Sequence, residues 1–463
     1  MIMTMTTTMT TMTISIVLLL LTRTHAFMAI PPIHTSSSTT ASSTTSSSSR
    51  LYNNIVLEPS TDPKKFDSRS IGTARIHRYI RDDASDAEYV MWYHARGQEL
   101  HDSDNLLPPI STGCIGRATS NNGLIWEKCA LGSGSEEEDD VSLGPNKESW
   151  WGFDTAHVGL GQVMLPMSTP AVLAEGGVYL MYFMGGSHEE TKVSDYTSAE
   201  LEGDAKIKGM SFKVGICMSQ DGLTWGRVEG DDPTGAIVVP TNYDDPNSMT
   251  QSETKLEEEL YVGWPDVMVN TETTNVLSVN SFESNSDSEK KPPAFYMYYS
   301  TMLKKCKTKA IAYAVSDDGF RWVKKGTCLK PTADGKSMDS AGCARGTVVR
   351  NQVHADGTWK NAPGWTMYYE GVSPEDNRHR ILSATSDDCM NWTKSEGVVL
   401  DIGDDWDSEG VGSPNLLRLD DGTIRMYYTG QGANGRTAIG IASATAEEPT
   451  KFLREQVQFP SLA

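Results

Sequence analysis

Three carboxyl-bearing residues break phrases that otherwise recur along this chain. Glu370 stands in "MYYEG", where sister phrases carry a neutral residue, Glu409 stands in "DSEGVG", and Asp266 follows "GWP". Carboxyl groups at such positions are candidates for acid–base work, because one can stay protonated to donate while another stays ionised to accept. On this reading Glu370 is the general acid and Glu409 the second carboxylate. Asp266 supplies a base if it points inward, and a slip of one residue in strand register would send it the other way. Further repeat-breaking residues are His94, Arg96, His157, Trp264 and Arg345, with Arg69 beside them. The histidines can bind hydroxyls or a phosphate, the arginines can hold an anion, and Trp264 offers a flat face for stacking.

The elements that position these residues come from a pattern read five times. An Asp-Ser/Thr phrase opens each unit ("FDSRSIG", "FDTAHVG", "MDSAGCA", "WDSEGVG"), with Glu258 taking the acid's place in the third copy. An aromatic strand follows: "YVMWY", "YLMYF", "YMYY", "TMYY", "RMYY". A small-residue strand then runs into a turn and a tryptophan, as in "GICMSQDGLTW" and "AYAVSDDGFRW". The strands are β-branched or aromatic with no helical period, and Asn-Gly or Asp-Gly supplies the positive φ of a tight hairpin. The tryptophan is expected to cover the sheet face against the next unit. Radial repetition of such sheets predicts an all-β, five-bladed β-propeller over residues 51–463. "NIVLEP" is expected to complete the last blade as its outer strand, with "FLREQVQF" competing for that slot. An acid needed in every unit is more a structural device than a reagent, so Asp67, Asp154, Asp339 and Asp407 are expected to bind backbone amides at the crossings between blades.

Of 463 residues, the net charge is -21, a surface that repels nucleic acid and anionic lipid, so neither is an expected partner and the mature chain is expected off the membrane. Residues 1–26, with the apolar run "ISIVLLLL", are expected to be a cleavable signal peptide. Residues 27–50 are dominated by Ser and Thr without an acid, a transit-like composition. The pair resembles the bipartite presequence of algae with secondary plastids, which implies a plastid location, with secretion or the endomembrane system as the alternative. The seven cysteines form no CxxC pair, so neither a disulfide framework nor zinc is expected. No metal or cofactor signature is present.

Five units of this kind resemble the five-bladed superfamily of arabinanases, β-xylosidases, levansucrases and invertases (glycosyl hydrolase families 43 and 32). The resemblance implies a glycosidase acting on an oligosaccharide or glycoside through paired carboxyl groups in an axial pocket, with a non-catalytic carbohydrate-binding or assembly propeller as the alternative. In that superfamily an Asp precedes a Pro at the start of an innermost strand. The equivalent places here hold Thr73, Leu160, Trp264, Arg345 and Ser413.

Overall fold

The computed structural model describes residues 54–80, 87–98, 113–129, 140–164, 178–197, 205–244, 255–270, 293–351 and 364–457. The segments read as signal and transit peptides lie outside them. Five antiparallel sheets form the five blades of the expected propeller. Their innermost strands are Ser70–Tyr79, His157–Met164, Glu259–Val269, Gly342–Arg350 and Gly410–Arg418. The aromatic strands pair with these, and the small-residue strands lie next outward.

The turns form for the reasons their sequence suggests. In the first three copies the amides of Gly123, Gly222 and Gly319 donate to the hydroxyls of Ser120, Ser219 and Ser316 at 2.8–2.9 Å. These glycines have φ of 70–82°, and Cys389 holds the same left-handed conformation, φ 62°, in the fourth copy. The carbonyl of each turn is then taken by the preceding blade. Trp92 Nε1 and the hydroxyls of Tyr182, Tyr298, Tyr368 and Tyr427 donate to the carbonyls of Gly222, Gly319, Cys389, Pro449 and Gly123 at 2.7–2.9 Å. Trp225, Trp322, Trp392, Phe452 and Trp126 meet these same aromatic rings edge-on. Each turn aromatic therefore covers the preceding blade, the reverse of the expected direction.

The recurrent acid meets a side-chain cation in every blade, and the expected backbone amide in two, Thr241 on Glu259 at 3.0 Å and Thr332 on Asp339 at 3.4 Å. Asp67, Asp154, Glu259, Asp339 and Asp407 pair with Lys128, Arg227, Lys324, Lys394 and Arg454 on the outermost strands of their own blades. In four blades a buried tyrosine hydroxyl donates to the same carboxylate: Tyr93, Tyr299, Tyr369 and Tyr428, at 2.8–3.3 Å. Phe183 stands in that place in the second blade. In the third blade the role falls to Glu259 rather than Glu258, whose longer side chain reaches the lysine from one residue further along. Glu258 instead pairs with Lys304 at the surface.

Both candidates for the closing strand are used. Ile55–Leu57 and Leu453–Arg454 each pair with Thr437–Thr445, at different points along it. Trp406 Nε1 donates to Asn54 Oδ1 at 3.0 Å, adding a side-chain tie at the seam.

At the axis the inner strands bring Arg75, Gln162, Asp266, Thr347 and Asn415 to one level, each opposite the first aromatic of its own blade's donor position. Arg75 and Asp266 form the centre of this ring, Nη2 to Oδ1 at 3.2 Å and both nearly inaccessible. Arg75 also donates to the carbonyls of Gly161 and Pro414. Asp266 accepts from Thr347 Oγ1 at 2.9 Å and the Val348 amide at 3.1 Å. One ion pair thus touches all five blades. Burial pushes the Asp266 carboxyl up and the Arg75 guanidinium down, and their mutual attraction opposes both shifts.

Removing one member leaves the other charge buried alone, at a cost of about 3–5 kcal/mol. Urea denaturation of Arg75→Met and Asp266→Leu should show that loss in each, while the double variant recovers much of it. Single variants with wild-type midpoints would deny the pair its central role.

Candidate functional site

Above the axial pair, at the ends where the inner strands begin, each strand carries an irregularity in its pairing. At four of these Thr73, Trp264, Arg345 and Ser413 adopt φ of 44–49°, a left-handed conformation that side chains rarely take. Such strain costs of order 1 kcal/mol or more per residue and gathers at functional sites. These are the positions at which the sequence reading had looked for the catalytic Asp.

The strained amides are held by the residue after each aromatic triplet in the preceding blade. The Thr73 amide donates to Thr429 Oγ1 at 2.9 Å, the Arg345 amide to Ser300 Oγ at 2.7 Å, and the Ser413 amide to Glu370 Oε1 at 2.6 Å. Glu370 therefore fills a place that Ser and Thr fill elsewhere. Its Oε1 also receives Arg345 Nη1 at 3.3 Å, and its Oε2 meets His379 Nδ1 at 2.8 Å. Burial alone would raise its pKa, but Arg345, His379 and the Ser413 amide overcome that and hold it at about 2. Held in this way, Glu370 is ionised and both its oxygens are engaged, unlike the protonated acid expected of it.

A narrow cleft opens over this layer, lined by Ser70, Gly72, Thr73, Thr429, Thr437 and, centrally, His94, Arg96, Trp264 and Arg345. Arg345 lies 4.5 Å from the Trp264 ring centre, a cation–π contact. The insertion that follows the second blade's aromatic strand packs Val193, Tyr196, Ile207 and Phe212 against Tyr261 and Trp264, fixing that wall. His157 sits behind it, fully buried, with Nε2 3.0 Å from the Gly209 carbonyl.

The charge of this region is one-sided. Burial lowers His94 well below its ordinary value, aided by Arg96, His157 and Arg345, so it is neutral and its buried Nε2 has no hydrogen-bond partner in the structure. Burial also brings His157 to about 4. Burial, then Arg69 and Arg345, bring Arg96 to about 9, still cationic at neutral pH. Among the described residues no Asp or Glu lines the cleft.

The structure brings together His94, Arg96, Trp264 and Arg345, with His157 and Glu370 against them, and separates the other two carboxyl candidates. Asp266 does point inward, but into the axial ring, where its oxygens are occupied by Arg75, Thr347 and Val348. Glu409 lies half-exposed at the rim, paired with Arg378 at 2.9 Å. Neither faces Glu370 across the cleft. Sequence reasoning missed His379 and Lys309, each at the start of a third strand. Burial, then Arg345, lower Lys309 to about 7 against the opposing pull of Glu370. The signal available was that Lys309, His379 and cleft-lining Thr437 share one repeat position.

No family model matches the chain, and no curated protein matches its sequence. Solved structures match its fold. A glycosyl hydrolase from Bacteroides ovatus aligns with a TM-score of 0.52 at 12% identity, over 88% of this chain and 94% of that one. A structure described with the GH130 family of mannoside phosphorylases, containing glycoside hydrolases that target beta-1,2 mannosidic linkages in Candida mannan, gives 0.52 and 12% over 86% and 94%. A further glycoside hydrolase gives 0.50 and 14% over 89% and 95%. Likeness at such identity establishes the five-bladed fold. The expected kinship with the arabinanase and invertase families is corrected by it: the structures named in these matches are glycoside hydrolases and a GH130-type structure.

The depressed Glu370 makes a pH-dependent contribution to stability. That contribution is present above pH 4.5 and is lost as pH falls toward 2, because the unfolded carboxyl takes up its proton first. Acid unfolding followed by tryptophan fluorescence should therefore be shallower in Glu370→Gln over this range; a curve parallel to wild type would mean that Glu370 is not held ionised.

Proposed function

We propose that the axial cleft binds an oxyanion-bearing carbohydrate, such as a sugar phosphate, and that the protein does not hydrolyse glycosides through a carboxyl pair. The observation that carries this reading is the gathering of Arg69, Arg96 and Arg345 with His94 around a cleft lacking a lining carboxylate among the described residues. Glu370 answers Arg345 from beneath, and a ligand anion would add a second counter-charge on the open side of the arginine cluster. Trp264, steadied by Arg345, offers a face for the sugar ring. The fold shared with glycoside hydrolases supports a carbohydrate rather than another anion.

A second reading, phosphorolysis, is favoured by the same cations together with Lys309. Inorganic phosphate held by Arg96 and Arg345 would bond to the anomeric carbon as the glycosidic C–O bond breaks, and the departing oxygen would take a proton. Glu370 is ionised and cannot give it, whereas Lys309, brought to about 7, is partly protonated at neutral pH. The structure described with mannoside phosphorylases supports keeping this reading.

Isothermal titration of the mature chain with glucose 1-phosphate, a sulfated monosaccharide and uncharged glucose tests the proposal. Binding of the anionic sugars is expected, weakened at least tenfold in Arg96→Gln and by added salt. Equal binding of glucose, or no loss in Arg96→Gln, would overturn it. Incubating disaccharides with and without phosphate separates the readings, since only phosphorolysis releases a sugar phosphate, and Lys309→Met should abolish that release.

A further inference from the structure

We infer a second ligand site, on the flank of the second blade, that binds a neutral oligosaccharide. A cleft of about 600 Å³ lies there, within the range of ligand pockets. One wall is the loop 145–154, the other the outer strand Gly226–Val228 and the turn that follows it. The floor is Phe153, Phe183, Ile216 and Trp225, with Asp154 and Arg227 set into it.

Three independent features point to a sugar. First, this is the one blade in which phenylalanine replaces the tyrosine whose hydroxyl otherwise occupies the recurrent acid, so Asp154 lacks that donor. Second, the cleft is edged by Trp151, beside Trp150; they are 51% and 88% exposed and stand perpendicular, with ring centres 5.9 Å apart. The other tryptophans of the described residues are buried or half-buried. An exposed indole leaves a large apolar face in water, and covering it with the flat C–H face of a sugar ring is favourable.

Third, the loop bearing the indoles is fixed in advance. Asn146 Oδ1 accepts from the amides of Glu148 and Ser149 at 3.0 and 3.1 Å, and the Asn146 amide donates to the Asp154 carbonyl at 3.0 Å. The opposite turn is closed by the Gly230 amide on the Gly235 carbonyl at 2.9 Å. The two inner acids already meet cations, Asp154 with Arg227 and Asp232 with Lys213, while Glu148 and Glu229 stand exposed at the edge as hydrogen-bond acceptors, so an uncharged, hydroxyl-rich ligand fits better than an anion. With phenylalanine in place of tyrosine, the floor beneath the indoles is apolar around the buried Asp154 and its partner Arg227, which suits the C–H face of a sugar. The site stands whether or not the axial cleft binds an anion.

Affinity electrophoresis of the mature chain in gels containing soluble mannan, arabinan, xylan or mixed-linkage β-glucan tests it. Retardation by at least one is expected. Trp150→Ala combined with Trp151→Ala, both at exposed positions, should weaken it tenfold or more. Phe183→Tyr, which adds beneath the floor the hydroxyl that four other blades accommodate, and Arg96→Gln in the axial cleft should both leave it unchanged. No retardation in any gel, or retardation untouched by the tryptophan changes, would overturn the site. Loss in Arg96→Gln alone would assign the sugar to the axis instead.

Discussion

The Arg75–Asp266 pair is the constraint around which the molecule is arranged. Inner strands that converge on an axis bring polar backbone into a space too narrow for bulk water, and every group there needs a partner. One guanidinium and one carboxylate meet that need across five blades, receiving two donors and reaching two carbonyls besides each other. Their position also decides what the cleft above can be. The inward-pointing acid is consumed in holding the ring together, so the chemistry of the open face is left to the residues one layer nearer the surface.

That layer reuses a structural slot. Ser300 and Thr429 cap strained amides with a hydroxyl; Glu370 does the same with one carboxylate oxygen and has a second to spare for His379. The strain at Thr73, Arg345 and Ser413 is thereby stabilised from the neighbouring blade, and Trp264 and Arg345 line the cleft from left-handed backbone positions. Cation character then accumulates because the aimed residues are arginines and their neighbours are histidines kept neutral by burial.

The fold was legible because each blade repeats the same phrases, so a weak local signal was read five times. Aromatic donors fell where their periodicity placed them, as did four of the five recurrent acids; in the third blade the acid is Glu259, one residue beyond the expected Glu258. The site was legible only as far as residue type. His94, Arg96, Trp264 and Arg345 break the repeat and do converge. The ionisation of Glu370, by contrast, depends on Arg345 and Ser413 from strands 25 and 43 residues away, and no local pattern encodes it. Asp266 shows the same limit: its direction followed from register, but its engagement required Arg75, nearly two hundred residues earlier. Glu409 broke the repeat for an ordinary reason, a rim contact with Arg378.

The seam in the last blade has a consequence for how the chain can be made. Ile55–Leu57 waits to pair with Thr437–Thr445, which leaves the ribosome almost four hundred residues later. Until then the first blade's flank, including Trp126, lacks Tyr427, and the partial ring presents two raw apolar edges. Synthesis at roughly 5–20 residues per second leaves those edges uncovered for tens of seconds. Until the final blade emerges, those edges stay open to water and to other chains.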